Sequence, residues 1–188
     1  MFDLDDAQSV AAFIVHMSDR CDDKAVSVSD ARELNHFDNE GNARMVDVSD
    51  KEVTLRRACA RARVILNRNT FEMIKNGGSK KGDVLTVAQI AGIMGAKRTP
   101  DIVPMCHPIV TDGIGVKLTL NEEELCVDIE SAVSCRGRTG VEMEAICACT
   151  VAAMTVYDMC KAVQRDIVIT DIGLVSKSGG VHGDYKRM

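Results

Sequence analysis

Thr54-Leu55-Arg56-Arg57-Ala58-Cys59-Ala60-Arg61-Ala62-Arg63-Val64-Ile65-Leu66 decides how the rest of this 188-residue chain is read, because two rules of local structure disagree over it. The preceding Ser49-Asp50-Lys51-Glu52 has the form of a capping box, and the alanines that follow favour helix. Against this, Ala58, Ala60, Ala62, Val64 and Leu66 alternate with Arg57, Cys59, Arg61, Arg63 and Ile65, which puts the basic side chains mostly on one face. The period of two predicts a strand.

Working outward, Thr70 to Lys75 has helical spacing and stops at Asn76-Gly77-Gly78. Asp83 is placed to cap a second helix in which Val84, Val87, Ile90, Ala91 and Met94 share a face, and Pro100 ends it. Pro104 and Pro108 bracket Met105-Cys106-His107 and hold that segment out of regular helix or central strand, as a loop that presents its side chains. Strands at 114–120 and 125–135 flank the acidic turn Asn121-Glu122-Glu123-Glu124. An apolar helix runs from Val141 to Val163, and Ile167 opens a last strand through Val175. Strand, helices, strand, strand, helix, strand is the order of a ferredoxin-like α+β plait, an antiparallel sheet packed by helices.

The charge is unevenly spread. Residues 1–40 hold ten acids and three bases, a net −7, which leaves +2 on the remainder of a chain whose total is −5. Residues 1–35 therefore read as an acidic N-terminal extension, with one apolar patch at Val10–Val15 suited to a short helix. The turn-rich Asn35–Asn42 leads into a functional domain over 36–188. The weak positive excess is no DNA-binding footprint, and with no Trp and 3% aromatics there is little to stack on single-stranded bases. No basic leader opens the chain and no uninterrupted run of about 18 apolar residues occurs, so a cytoplasmic location is expected. Eight cysteines, many inside apolar runs, read as reduced thiols; no CxxC pair is present to start a zinc site, and no metal site is expected.

Charged positions in the apolar helix are few: Glu142, Glu144, Asp158 and Lys161. Asp158 and Lys161 are three apart, so carboxylate and ammonium share a face and tune each other's proton affinity; the plainer reading is a surface ion pair. Lys80-Lys81-Gly82-Asp83 and Lys177-Ser178-Gly179-Gly180 combine lysines with glycine-rich turns suited to phosphate oxygens, although neither has the P-loop order and each alone more often marks a solvated loop. His107 is a candidate proton carrier or hydrogen-bond donor. Its partnership with Cys106 as a nucleophilic pair is disfavoured, since adjacent side chains on an extended segment point apart.

Taken together, Met45-Val46-Asp47-Val48-Ser49, Lys81-Gly82-Asp83-Val84, Ala96-Lys97-Arg98-Thr99-Pro100-Asp101, Pro104-Met105-Cys106-His107-Pro108, Thr139-Gly140-Val141-Glu142-Met143-Glu144-Ala145, Tyr157-Asp158-Met159-Cys160-Lys161-Ala162-Val163 and Lys177-Ser178-Gly179-Gly180 are in the order found in one family. Over residues 36–188 the chain resembles molybdenum cofactor biosynthesis protein C, the cyclic pyranopterin monophosphate synthases. The resemblance implies a lyase that converts 3′,8-cyclo-7,8-dihydro-GTP into cyclic pyranopterin monophosphate with release of pyrophosphate. It implies catalytic roles for Asp158, Lys81 and Lys161, and substrate contacts from Met105, Cys106, His107, Glu142, Met143, Glu144 and Lys177. It also implies a homohexamer, a trimer of dimers with sites at subunit interfaces, and no cofactor beyond magnesium as a phosphate counterion. The rival readings are a non-catalytic ligand-binding module and a Cys106-dependent enzyme.

Overall fold

The computed structural model describes residues 36–38, 40–77, 82–180 and 183–188. The contested stretch is a strand, β1 (Thr54–Ile65), and the capping-box residues before it start no helix. Burial follows the alternation: Ala58, Ala60, Ala62 and Val64 are in the core, while Arg61 and Ile65 on the other face are exposed. The helix propensity of alanine is overridden because β1 lies between two partners, β3 (Cys126–Gly137) and β4 (Val168–Ser178), and is antiparallel to both.

After β1 come α1 (Arg68–Lys75), α2 (Val84–Lys97) and the short α3 (Thr99–Ile102); then β2 (Gly113–Asn121), β3, α4 (Glu142–Cys160), β4 and the two-residue β5 (Tyr185–Lys186). The sheet order is β2-β3-β1-β4-β5. This is the expected α+β class, an antiparallel sheet packed by helices, with sequential elements in a split βαβ arrangement. The anticipated hairpin is β2–β3, and its acidic turn closes through Leu125 in the left-handed region at φ 49°. The short helix expected at Val10–Val15 lies outside the described residues.

Asp83 caps α2 as anticipated, accepting from the backbone N–H groups of Leu85 and Thr86. The face that α2 buries is not the one expected. Val84 is buried, but Val87, Ile90 and Met94 are exposed, and the contact with α4 is made by Ala88, Gly92, Gly95 and Ala96. The small residues let the two backbones approach: a Cβ on Gly95 would stand 2.7 Å from Val151, and one on Gly92 would stand 2.9 Å from the Ala148 carbonyl oxygen. Close helix packing thus selects the side of least volume and turns the bulky residues outward.

Among the described residues α4 is the one helix long and apolar enough to span a membrane, yet here it is the core helix, with ten residues buried against the sheet and α2. Ser131 fixes its height on the sheet by donating to the Ala145 carbonyl at 2.7 Å. Met143, Thr150, Met154 and Asp158 are among its less covered positions and lie at helical spacing on one side of the helix.

Candidate active site

The N-terminal end of α4, the loop before β2 and the segment Val46–Lys51 enclose a cleft of about 380 Å³. Its walls include Met105, Cys106, His107, Glu142, Met143 and Glu144, six of the seven residues expected to touch substrate. The Pro104–Pro108 loop does present its residues. His107 Nε2 lies 2.8 Å from the carbonyl oxygen of Val46, so the ring is tied to the segment that precedes β1. His36 also lines this cleft; its Nδ1 is buried without a hydrogen-bond partner.

Glu144 is 3% exposed at the first turn of α4. Burial pushes its carboxyl above the ordinary Glu value, opposed by the backbone N–H it accepts from, with the neighbouring Glu142 charge adding to the rise. A buried carboxyl with few protein partners is suited to receive paired N–H groups of a ligand. Cys106 is a poor thiolate, because partial burial raises its pKa and Glu144 raises it further. That direction is the opposite of the activation a nucleophilic Cys106 would need. The seven described cysteines are all free thiols.

A second hollow, about 150 Å³, adjoins the first and shares Lys51, Thr139, Gly140 and Glu142 with it. Its other walls include Arg56, Arg57, Arg138 and Lys177, the seventh expected contact residue. Lys177 reaches it from the helix-side face of β4 and donates to Glu142 at 2.8 Å. Arg56 is 6% exposed, with Nε and Nη2 each donating at 3.3 Å to the carbonyls of Gly137 and Arg138. Those bonds fix the guanidinium without neutralising it. Sequence reasoning missed Lys51 and Arg56: both lie within stretches read only for secondary structure, and their approach to Lys177 depends on β1 pairing with β4.

Asp158 and Lys161 pair as their spacing suggested, Nζ to Oδ1 at 2.5 Å. The carboxylate holds the Lys161 ammonium above its ordinary pKa by hydrogen bond and charge. The pair stands at the opposite end of α4 from Glu142, roughly 24 Å away along the helix axis. One protomer therefore does not bring Lys161 to Lys177. Lys81 lies outside the described residues; the chain resumes at Gly82, φ +97°, just before the Asp83 cap. No group of three or more metal-ligating side chains occurs among the described residues.

A cleft with cations at one end and a buried carboxyl at the other is suited to a small molecule that is anionic at one end and carries ring N–H groups at the other. Comparison with known proteins is specific. The MoaC family model matches residues 45–180, and the chain belongs to that family. It is 54% identical over 155 residues to the cyclic pyranopterin monophosphate synthase of Peptoclostridium acidaminophilum, covering 82% of this chain and 98% of that one. With the enzyme of the same name from Heliobacterium modesticaldum it shares 54% over 154 residues, 82% and 97% of the two chains. With that of Streptomyces griseus subsp. griseus it shares 50% over 160 residues, 85% and 89% of the two chains.

Proposed function

We propose that this chain is a cyclic pyranopterin monophosphate synthase, a lyase of molybdenum cofactor biosynthesis that converts 3′,8-cyclo-7,8-dihydro-GTP into cyclic pyranopterin monophosphate and pyrophosphate. The observation that carries the reading is the pair of adjoining hollows, one cationic through Lys51, Arg56, Arg138 and Lys177, the other holding His107 and the buried Glu144. A triphosphate belongs in the first, where several cations offset its charge. The purine-derived ring belongs in the second, where Glu144 accepts its N–H groups and Met105, Cys106 and Met143 line the walls.

In this reading Lys161, held by Asp158, and Lys81 carry the proton transfers while the imidazole part of the purine opens and the pyran ring closes. A sugar hydroxyl then attacks the innermost phosphorus and pyrophosphate leaves; the bond broken is the bridging P–O bond, and the cationic hollow receives the charge on the leaving oxygens. No protein nucleophile is required. Magnesium serves at most as a counterion of the phosphates.

The reaction needs the two ends of α4 in one place, which a second copy supplies. Met154 on the face carrying Met143, Thr150 and Asp158 is 51% exposed, and α2, which packs against α4, turns Val87, Ile90 and Met94 outward as well, Ile90 57% exposed. A two-fold axis near the middle of this face would set Asp158 and Lys161 of one protomer beside Glu142 and Lys177 of the other while burying the apolar stripe. The assembly in this reading is a homohexamer built from three such dimers, located in the cytoplasm.

The test is incubation with enzymatically prepared cyclised GTP, followed by detection of pyrophosphate and of the fluorescent oxidised pterin. Both products are expected in equal amounts; folded, oligomeric protein that yields neither would return the chain to the class of ligand-binding modules.

A further inference from the structure

Lys177 Nζ and Glu142 Oε1 are 2.8 Å apart, joining β4 to the first turn of α4 across 35 positions of sequence. Both side chains retain about a third of their surface, 35% for Lys177 and 27% for Glu142, and Glu142 stands in the wall common to the two hollows. Space for its carboxylate exists because residue 140 is glycine: a Cβ there would lie 1.9 Å from Glu142 Oε2. Gly140 is not among the glycines with positive φ, so its missing side chain provides room rather than an unusual backbone.

The pairing is at odds with tight phosphate binding. Among the described residues that line the cationic hollow, Glu142 is the only acid, and it engages one of the ammonium groups that phosphate oxygens would take. An ion pair that keeps about a third of its surface is weak enough for a ligand with several negative charges to break, and strong enough to compete with a departing one. We propose that Glu142 is an intramolecular competitor for Lys177. It holds the ammonium in the empty cleft, yields it to the phosphates of the substrate, and takes it back as pyrophosphate leaves. Gly140 is then a positioning residue, keeping open the rotamer through which Glu142 reaches Lys177. Because the competition opposes triphosphate and pyrophosphate alike, its effect falls on affinity and product release rather than on the bond-breaking step.

This inference rests on the synthase reading, and the two are tested separately. Pyrophosphate binding is measured by calorimetry at fixed ionic strength on the full chain as wild type, Glu142→Gln, Lys177→Met and the double variant. The expected result is that Glu142→Gln tightens pyrophosphate binding about threefold or more, and that most of this gain disappears in the Lys177→Met background. Gly140→Ala keeps both charged residues while crowding Glu142 away, and should tighten binding in the same direction, which guards against a folding defect in any one variant. Unchanged or weaker binding by both Glu142→Gln and Gly140→Ala overturns the proposal. An equal gain with and without Lys177 does so as well, since Glu142 would then merely repel the ligand. If wild type turns over cyclised GTP and Glu142→Gln has no effect, the competitor falls and the synthase stands. If wild type neither turns over nor binds pyrophosphate, both fall.

Discussion

His107 Nε2 lies 2.8 Å from the carbonyl oxygen of Val46. A carbonyl has no hydrogen to offer, so Nε2 is the donor in this contact, and Nδ1 is the ring nitrogen left for a ligand. Asparagine places a polar atom near the Nδ1 position, glutamine near Nε2. His107→Asn should therefore keep more of the substrate affinity than His107→Gln, while His107→Gln keeps more of the thermal stability, the lost Val46 bond costing about 1 kcal/mol. KM and Tm measured on the two variants check this; the opposite ranking of KM would assign the ligand to the other nitrogen.

Glu144 should make stability depend on pH in a direction unusual for a carboxylate. Its pKa is raised mainly by burial, so the folded chain holds that proton more tightly than the unfolded chain. The resulting stabilisation is fully present below the ordinary Glu value and is lost as pH rises through the raised one. Glu144→Gln removes the burial cost of the charge and is expected to melt higher than wild type at about pH 8, by roughly 2–4 °C for each 1 kcal/mol relieved. The difference should close below about pH 4. Parallel melting curves across the range would contradict it.

Separation of the two charged groups along α4 gives a test by mixing. Lys161→Ala and Lys177→Met each damage one end, and each homomeric variant should lose about 10²-fold or more in kcat/KM. Both positions are at least a third exposed, so folding should survive. If sites combine the two ends from different protomers, co-refolded mixtures of the variants should recover a substantial part of wild-type turnover, because a mixed dimer contains one site with both lysines. Mixtures no more active than the separate variants, in a sample shown by mass spectrometry to contain mixed oligomers, would rule the shared site out.

At the α2–α4 contact the expected effect is on stability alone. Alanine is the better helix former by about 1 kcal/mol, but a methyl on Gly95 would press on Val151 at 2.7 Å and on the Cys147 carbonyl at 3.1 Å. Overpacking should win, and Gly95→Ala is expected to lose about 1–3 kcal/mol in urea denaturation. A stabilised variant would show that the two helices can separate without cost.

Where local chemistry sets the structure, the sequence could be read directly. Alternation in Ala58–Val64 identified β1, Asp83 marked the start of α2, and the prolines around Met105–His107 marked the loop that lines the cleft. What escaped were features decided by approach between distant elements. Val87, Ile90 and Met94 share an apolar face of α2, yet hydrophobicity alone does not say that glycines will form the contact instead. Lys51 and Arg56 were passed over because nothing in their own neighbourhood points to Lys177; that follows only from strand order. The pairing of Asp158 with Lys161 was legible from spacing, and so in principle was its distance from Glu142, since 16 positions on a straight helix fix it.

That distance gives α4 the character of a ruler. Substitutions between Ala145 and Tyr157 that respect its packing leave the two ends where they are, whereas inserting one residue would turn Asp158 by about 100° and shift it about 1.5 Å relative to Glu142. Were a second protomer to supply the complementary end, as proposed, such an error would be applied to both sites of the dimer at once. The helix is therefore expected to tolerate change in composition far better than change in length.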